Sequence, residues 1–145
     1  MKGKEKVFLN TPESSALFLK GYGNKKQEHF GLICLDGENG VIRRKVLFIG
    51  GTATCQIDTK IIFWEACRAS AAAVVLFHNH PLGRTEPSKP DIATTKELNS
   101  GFASLGIMLL DHIIIGKDGD YFSFLENDMI IGNDRAKQGL VADKS

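Results

Sequence analysis

Nowhere in this chain do apolar residues run on for the ~18 positions that a membrane-spanning helix needs. The basic segment Met1 to Asn10 is also not followed by an apolar core of signal-peptide length. Neither a membrane protein nor an exported one is expected, and the reading is a soluble cytoplasmic domain. Cysteine is scarce: Cys34, Cys55 and Cys67 form an odd set without C-x-x-C spacing. That argues against a disulfide framework and a zinc ribbon, and for buried reduced thiols. Neither sign of charge dominates, since 18 Lys and Arg face 17 Asp and Glu for a formal net charge of +1. No global field therefore draws the chain to nucleic acid or to a membrane surface. Internal repeats and low-complexity segments are missing too, so partners must be inferred from a local site.

What is there is 145 residues of ordinary globular composition, 43% hydrophobic and 24% charged, enough for one domain with its own core. Residues 1–10 read as a mobile lead-in or a short edge segment. Thr11 before Pro12 and Glu13 predicts a capped helix to about Tyr22, stopped by Gly21 and Gly23. Glu28 to Leu35 reads as a strand. Asp36-Gly37-Glu38-Asn39-Gly40 then turns the chain into an antiparallel partner over Val41 to Ile49. There Ile42, Val46 and Phe48 are expected on one face, with Arg43 and Lys45 on a solvated one. A brief strand over Thr54 to Ile57 precedes a helix capped by Asp58 or Thr59 and running to about Ala71, within which Trp64 is expected to serve packing rather than as a substrate platform. Ala73 to Phe77 is apolar on both faces, as a strand covered on both sides must be. A helix from about Asp91 to Leu105 stops at Gly106, a second buried strand spans Ile107 to Ile115, and Tyr121 to Leu125 returns as a short hairpin strand. Periodicity fades from Glu126, and 132–145 is polar enough for a disordered tail.

The stretch that carries chemistry is Phe77-His78-Asn79-His80-Pro81-Leu82-Gly83-Arg84-Thr85-Glu86-Pro87-Ser88-Lys89-Pro90-Asp91. On an extended strand, residues i and i+2 point the same way about 6.5–7 Å apart, so His78 and His80 can face one ion while Asn79 faces away. Asp91 supplies a third ligand if the Pro/Gly loop folds back. A catalytic zinc typically takes three protein ligands and keeps its fourth position for water, whose proton a nearby Asp or Glu can then take. Each residue also has an ordinary reading. A histidine pair at a strand end is more often a set of hydrogen-bonded polar residues at a loop mouth. Asn79 reads as a turn residue. Ser88-x-x-Asp91 resembles a capping box, which would compete with a metal for the one carboxylate.

The spacing His78-x-His80-Pro81-x6-Ser88-x2-Asp91 resembles the JAMM (MPN-plus) metalloprotease signature. More closely, it resembles the bacterial RadC family, whose pattern reads H-N-H-P-S-G-x-x-x-P-S-x-x-D. Leu110-Asp111-His112-Ile113-Ile114-Ile115-Gly116 and Glu28-His29-Phe30 are similar to flanking segments of that family, so the resemblance covers about Gln27 to Leu125. It implies an α/β fold, a three-layer cytidine-deaminase-like domain with a mixed β-sheet flanked by helices over residues 1–125; the fading periodicity beyond it makes 126–145 an expected flexible tail. It further implies one zinc held by His78, His80 and Asp91, with Glu28 as the base that activates water and Ser88 contacting that water or the oxyanion. The implied activity is hydrolysis of a peptide or isopeptide bond in a protein or peptide substrate. Leu82 stands where the RadC pattern usually has Ser, which bears on substrate contact more than on metal binding. Asp111 and His112 read equally as partners orienting a zinc ligand and as a hydrogen-bonded pair in the core. Family members usually carry a helix-hairpin-helix-like region for which there is no room before Glu28, so a short form or an excised domain is expected.

A different class of function stays open beside the enzyme: a non-catalytic, DNA-repair-associated or interaction module of the RadC type. Net charge does not indicate DNA, although Arg43, Arg44 and Lys45 are candidate phosphate contacts. The letters His-Asn-His do not make an HNH nuclease, whose residues are spread over a ββα-metal unit.

Overall fold

Val74-Val75-Leu76-Phe77 has no polar side, and a strand of that kind needs a layer on each face. In a computed structural model that describes residues 5–50 and 57–130, this segment lies in the centre of a five-stranded sheet. The strands are β1 (Glu28–Leu35), β2 (Val41–Gly50), β3 (Ala73–Asn79), β4 (Met108–Ile115) and β5 (Tyr121–Ser123), in the spatial order β2-β1-β3-β4-β5. The sheet is mixed: β3 and β4 run parallel, and the other neighbouring pairs are antiparallel.

Helix α1 (Pro12–Leu19) covers one face, and α2 (Thr59–Arg68) and α3 (Lys89–Ser104) cover the other. Alternation along the strands assigns the residues. Ile33, Leu35, Val75, Phe77, Ile113 and Ile115 pack with Ala16 and Leu19 of α1. On the opposite face Leu32, Cys34, Val74, Leu76 and Ile114 pack with Ile62 and Ala66 of α2 and with Leu98 and Phe102 of α3. Each fully buried large side chain is worth roughly 1.5–3 kcal/mol, so the two clusters hold the three layers together. The expected fold class, α/β with a mixed sheet between helical layers, is the one observed. Cys34 is part of this core, where burial, with Glu65 adding to it against the opposing effect of Arg43, pushes its thiol up to about 11. A thiol held there is not a reactive nucleophile.

Local chemistry sets the element ends. Thr11 and Ser14 form a reciprocal cap on α1, and the helix tightens into a 3₁₀ turn over Lys20–Asn24, earlier than the expected end at Tyr22. Asp36 accepts from the backbone N–H of Glu38 and of Gly40 and from Lys6, which closes the β1–β2 turn around Asn39 at φ 65°. Beside that turn, Val7 to Leu9 pair with residues 39–41 as a short edge segment. Helix α3 ends in a Schellman motif, with Ile107 N–H donating to the Phe102 carbonyl and Gly106 at φ 73°. The chain stays packed past β5, since Ile130 is buried in the α3-side core. The strand expected over 54–57 lies almost wholly outside the described residues, as do Cys55 and the tail from Gly132.

Two faces differ from expectation. A register shift in β2, opposite Phe30 and Gly31, places Val46 and Phe48 on opposite sides of the sheet instead of together. Arg43 and Lys45, which precede that shift, keep the parity opposite to Val46, and their side chains remain 40% and 38% exposed. They lie beside α2, where Lys45 Nζ sits 2.9 Å and Arg43 Nη1 3.9 Å from the buried carboxylate of Glu65, with Arg68 at 3.8 Å. These cations hold Glu65 ionised against the burial that works the other way. Trp64 is not packed into the core: it is 58% exposed, with the Arg68 guanidinium 4.9 Å from its ring centroid.

Asp111 and His112 serve separate purposes. Buried Asp111 accepts from Ser123 Oγ at 2.6 Å, from Leu125 N–H at 3.0 Å and from His112 N–H at 2.7 Å, pinning the β5 turn to β4. Burial outweighs these donors and pushes its carboxyl from 3.8 to about 7. A raised folded-state value means that this group's stabilising contribution is full below pH 3.8 and is lost as pH rises through about 7. Urea midpoints taken across that range should fall with pH for the wild-type chain and fall less for Asp111→Asn. Gly31 gives a second expectation. A Cβ there would lie 2.3 Å from the Lys45 carbonyl oxygen and 2.6 Å from Phe77 Cζ, so Gly31→Ala should cost ~1–3 kcal/mol in chemical denaturation.

Candidate metal centre

Strand parity carries the site. Val74 and Leu76 face the α2/α3 layer, so His78 does too, while Asn79 faces the opposite way. His78 is buried and His80 half-buried where the chain leaves β3. Their Nε2 atoms are 3.0 Å apart. Asp91 comes back over them from the first turn of α3, with Oδ1 3.4 Å from His78 Nε2 and Oδ2 3.1 Å from His80 Nε2. Antiparallel pairing sets Phe30 of β1 opposite His78, so extending that ladder by two residues brings Glu28 alongside His80. One ligand atom from each of Glu28, His78, His80 and Asp91 can be chosen so that all lie within 4.8 Å of one another. The four residues read from the sequence as base and ligands are thus brought to one point, and imidazole nitrogens with carboxylate oxygens are a donor set that suits a zinc-sized cation.

Asp91 makes the capping contact and faces both histidines at the same time. Ser88 caps α3, its Oγ accepting from Asp91 N–H at 3.1 Å, while Asp91 Oδ2 accepts from Ser88 N–H at 2.8 Å. The same carboxylate still faces both histidines, because the helix start is where the box and the strand end meet. The helix N-terminus adds its own positive end to a site that gathers carboxylates. Ser88 is exposed. Its hydroxyl accepts within the box and keeps its own hydrogen to donate.

Two supports were not legible as such. Asn79, read as a turn residue, stitches β3 to the entrance of β1: its Oδ1 accepts from His29 N–H at 2.7 Å, and its Nδ2 donates to the Gln27 carbonyl at 3.0 Å. It therefore fixes the backbone on both sides of Glu28. The signal was parity, since the residue between two site histidines must face the other layer. His80 is oriented by its own loop, with Nδ1 donating to the Arg84 carbonyl at 2.9 Å. That loop lies against Gly116, where a Cβ would come within 2.6 Å of Thr85 Cγ2 and 2.9 Å of the Gly83 oxygen.

His112 meets the site as well. Its Nε2 is 2.7 Å from His78 Nδ1, and its Nδ1 is 2.6 Å from Thr95 Oγ1 of α3. A one-residue irregularity where β4 pairs with β3 makes this possible: Val74 lies opposite Leu109, but Leu76 lies opposite His112. Without that slip His112 would face α1. Burial, followed by the nearby His78, holds the His112 ring well below the ordinary histidine value. At the two outer residues the electrostatics run the other way. Burial works against the Asp91 charge, yet the imidazoles of His78 and His80 that face its two oxygens outweigh it and hold the carboxyl far below the usual range. Reciprocally, the hydrogen bond to Asp91 raises His80 above 6.5 despite its partial burial.

Comparison with known proteins agrees with the architecture. The model of the family described as RadC-like JAB domain matches residues 9–129. A UPF0758 protein of Streptococcus uberis is 44% identical over 108 residues, covering 74% of this chain and 47% of the relative. A UPF0758 protein of Shouchella clausii is 42% identical over 119 residues, covering 81% of this chain and 51% of the relative. This chain spans about half the length of the curated relatives it matches. The chain belongs to the RadC-like JAB domain family. Among the described residues, no helix is long and apolar enough to cross a membrane.

The Asp91–His80 pairing yields a direct titration test on the metal-free protein. His80 should titrate above 6.5 by NMR, and Asp91→Asn should lower its midpoint by removing the charged partner. Stability owed to the raised His80 is present below 6.5 and should fade as pH rises through its folded-state midpoint.

Proposed function

We propose that this RadC-like JAB domain is a zinc-dependent hydrolase that cleaves a peptide or isopeptide bond in a protein or peptide substrate. The observation that carries the reading is the gathering of Glu28, His78, His80 and Asp91, with donor atoms all within 4.8 Å, at the end of a sheet braced on both faces. Two imidazoles and a carboxylate, without a thiolate, are the donors of a catalytic zinc site, and three protein ligands leave a position for water or substrate. In this reading His78, His80 and Asp91 hold the ion and Glu28 stays outside the ligand set. When bound, zinc supplies Lewis acidity toward water and toward a substrate carbonyl.

The rest of the chemistry belongs to the chain. The Glu28 carboxylate accepts a proton from the attacking water and later delivers it to the leaving amine. Asn79 holds the backbone on either side of Glu28, so the base does not have to be ordered during the reaction. Ser88 donates its free hydroxyl hydrogen to the oxygen of the attacked carbonyl, a task in which one donor is worth ~3 kcal/mol. Leu82 stands 83% exposed on the loop between His80 and Ser88 and offers a substrate side chain an apolar contact. A cytoplasmic setting suits the buried, unreactive Cys34. The alternative, a DNA-associated module, is not favoured by the cations that first suggested it. Arg43 and Lys45 face Glu65, while Arg44 lies 4.6 Å over the Phe18 ring and donates to the Phe18 carbonyl.

Metal analysis of the purified chain tests this reading. Wild-type protein should carry close to one zinc per chain. His78→Ala and Asp91→Ala should carry almost none, whereas Glu28→Gln should keep the metal and lose cleavage of a synthetic peptide library by ~10²–10⁴-fold. Zinc retained in full by both ligand variants, or absent from the wild type, would overturn it.

A further inference from the structure

His78 and His80 both present Nε2 to the site, but their other nitrogens are held in different ways. His80 Nδ1 faces the Arg84 carbonyl, which can only accept, so the proton is placed on Nδ1 and the Nε2 lone pair is left toward the site. His78 Nδ1 faces His112 Nε2, and an imidazole nitrogen can be a donor or an acceptor. That contact alone leaves the polarity of the pair open. If His112 donated, His78 would have to carry its proton on Nε2, pointing at the site and blocking coordination.

The polarity is settled further back. Thr95 Oγ1 lies 2.7 Å from the Asp91 backbone carbonyl, four residues earlier on α3, and a carbonyl can only accept. The single hydroxyl hydrogen of Thr95 goes there. Its oxygen must then accept from His112 Nδ1–H at 2.6 Å, which leaves His112 Nε2 as an acceptor for His78 Nδ1–H at 2.7 Å. The ring of His112 is held in that plane by stacking on Phe124, 4.6 Å between centroids at 9°, and by the edge of Phe30 at 5.8 Å. Thr95 and His112 are both buried, so water does not substitute for either contact.

Resting on the reading of this cluster as a metal centre, we infer that Thr95 and His112 are positioning residues. They form a buried relay, from the Asp91 carbonyl through Thr95 and His112 to His78, that fixes His78 with its proton on Nδ1 and its Nε2 free to bind metal. The relay begins on the backbone of one ligand residue and ends on the ring of another. A neutral histidine here takes the place that a carboxylate or carbonyl commonly occupies behind a metal-bound histidine. Thr95 is needed because His112, unlike those groups, has two possible polarities.

The test reads tautomers and metal affinity separately. In long-range ¹H–¹⁵N spectra of the metal-free wild-type protein, His112 should carry its proton on Nδ1. Thr95→Val keeps the side chain's shape and removes the acceptor, so His112 should shift its proton to Nε2. Zinc affinity, measured by competition with a chelator, should then fall ~10–100-fold, and Thr95→Ser should restore both tautomer and affinity. A wild-type His112 protonated on Nε2, or a Thr95→Val variant that binds zinc as tightly as wild type, would overturn the inference. If Thr95→Val does not fold, the wild-type spectrum decides by itself. A wild-type chain that takes no zinc while His112 still carries its proton on Nδ1 would sink the hydrolase reading and leave the relay standing.

Discussion

Everything about this site depends on one carboxylate that reaches two structures at once. Asp91 closes the first turn of α3 onto Ser88 through Oδ2 and, with both oxygens, faces the histidines at the end of β3. A strand, a loop and a helix are thereby joined at a single point. Their relative placement is set by the core that lies beneath: Leu76 and Ile114 of the sheet, Leu98 and Phe102 of the helix. Moving α3 by the width of a side chain would separate the carboxylate from the histidines, and the packed core resists such a move.

The arrangement shows how a rigid scaffold confers geometry on flexible chemistry. His78 is buried and held from behind, His80 is held by its own loop, and Glu28 is held through the backbone that Asn79 grips. Among the described residues, no buried side-chain nitrogen or oxygen lacks a hydrogen-bond partner. For a site built from histidines and carboxylates this matters, since a half-satisfied polar network in a core costs more than an apolar one. The polar groups of the site are therefore part of the fold as well as of the chemistry.

Much of this was legible in the chain itself. A strand apolar on both faces requires two covering layers, H-x-H at its end places two imidazoles on one side, and Ser88-x-x-Asp91 marks a helix start. What was not legible depended on irregular pairing. The slip in β2 parted Phe48 from Val46, and the slip in β4 turned His112 into the site. Strand periodicity assumes an unbroken alternation, and one extra residue reverses every assignment beyond it. For Asp91 the reason is another one: sequence spacing shows which groups compete for a carboxylate, but not that it can cap α3 at Ser88 while facing both histidines. Trp64 lies outside the core because it sits on the side of α2 turned away from Ile62 and Ala66, which meet the sheet.

The claim that most needs testing is that the ion, once bound, sees the histidines and the carboxylate gathered here and no thiolate. X-ray absorption spectroscopy of the zinc-loaded chain addresses it directly. The account predicts a four-coordinate site of nitrogen and oxygen donors at about 2.0–2.1 Å, with the scattering pattern of two imidazoles. A sulfur shell near ~2.3 Å, or a spectrum without imidazole scattering, would contradict it.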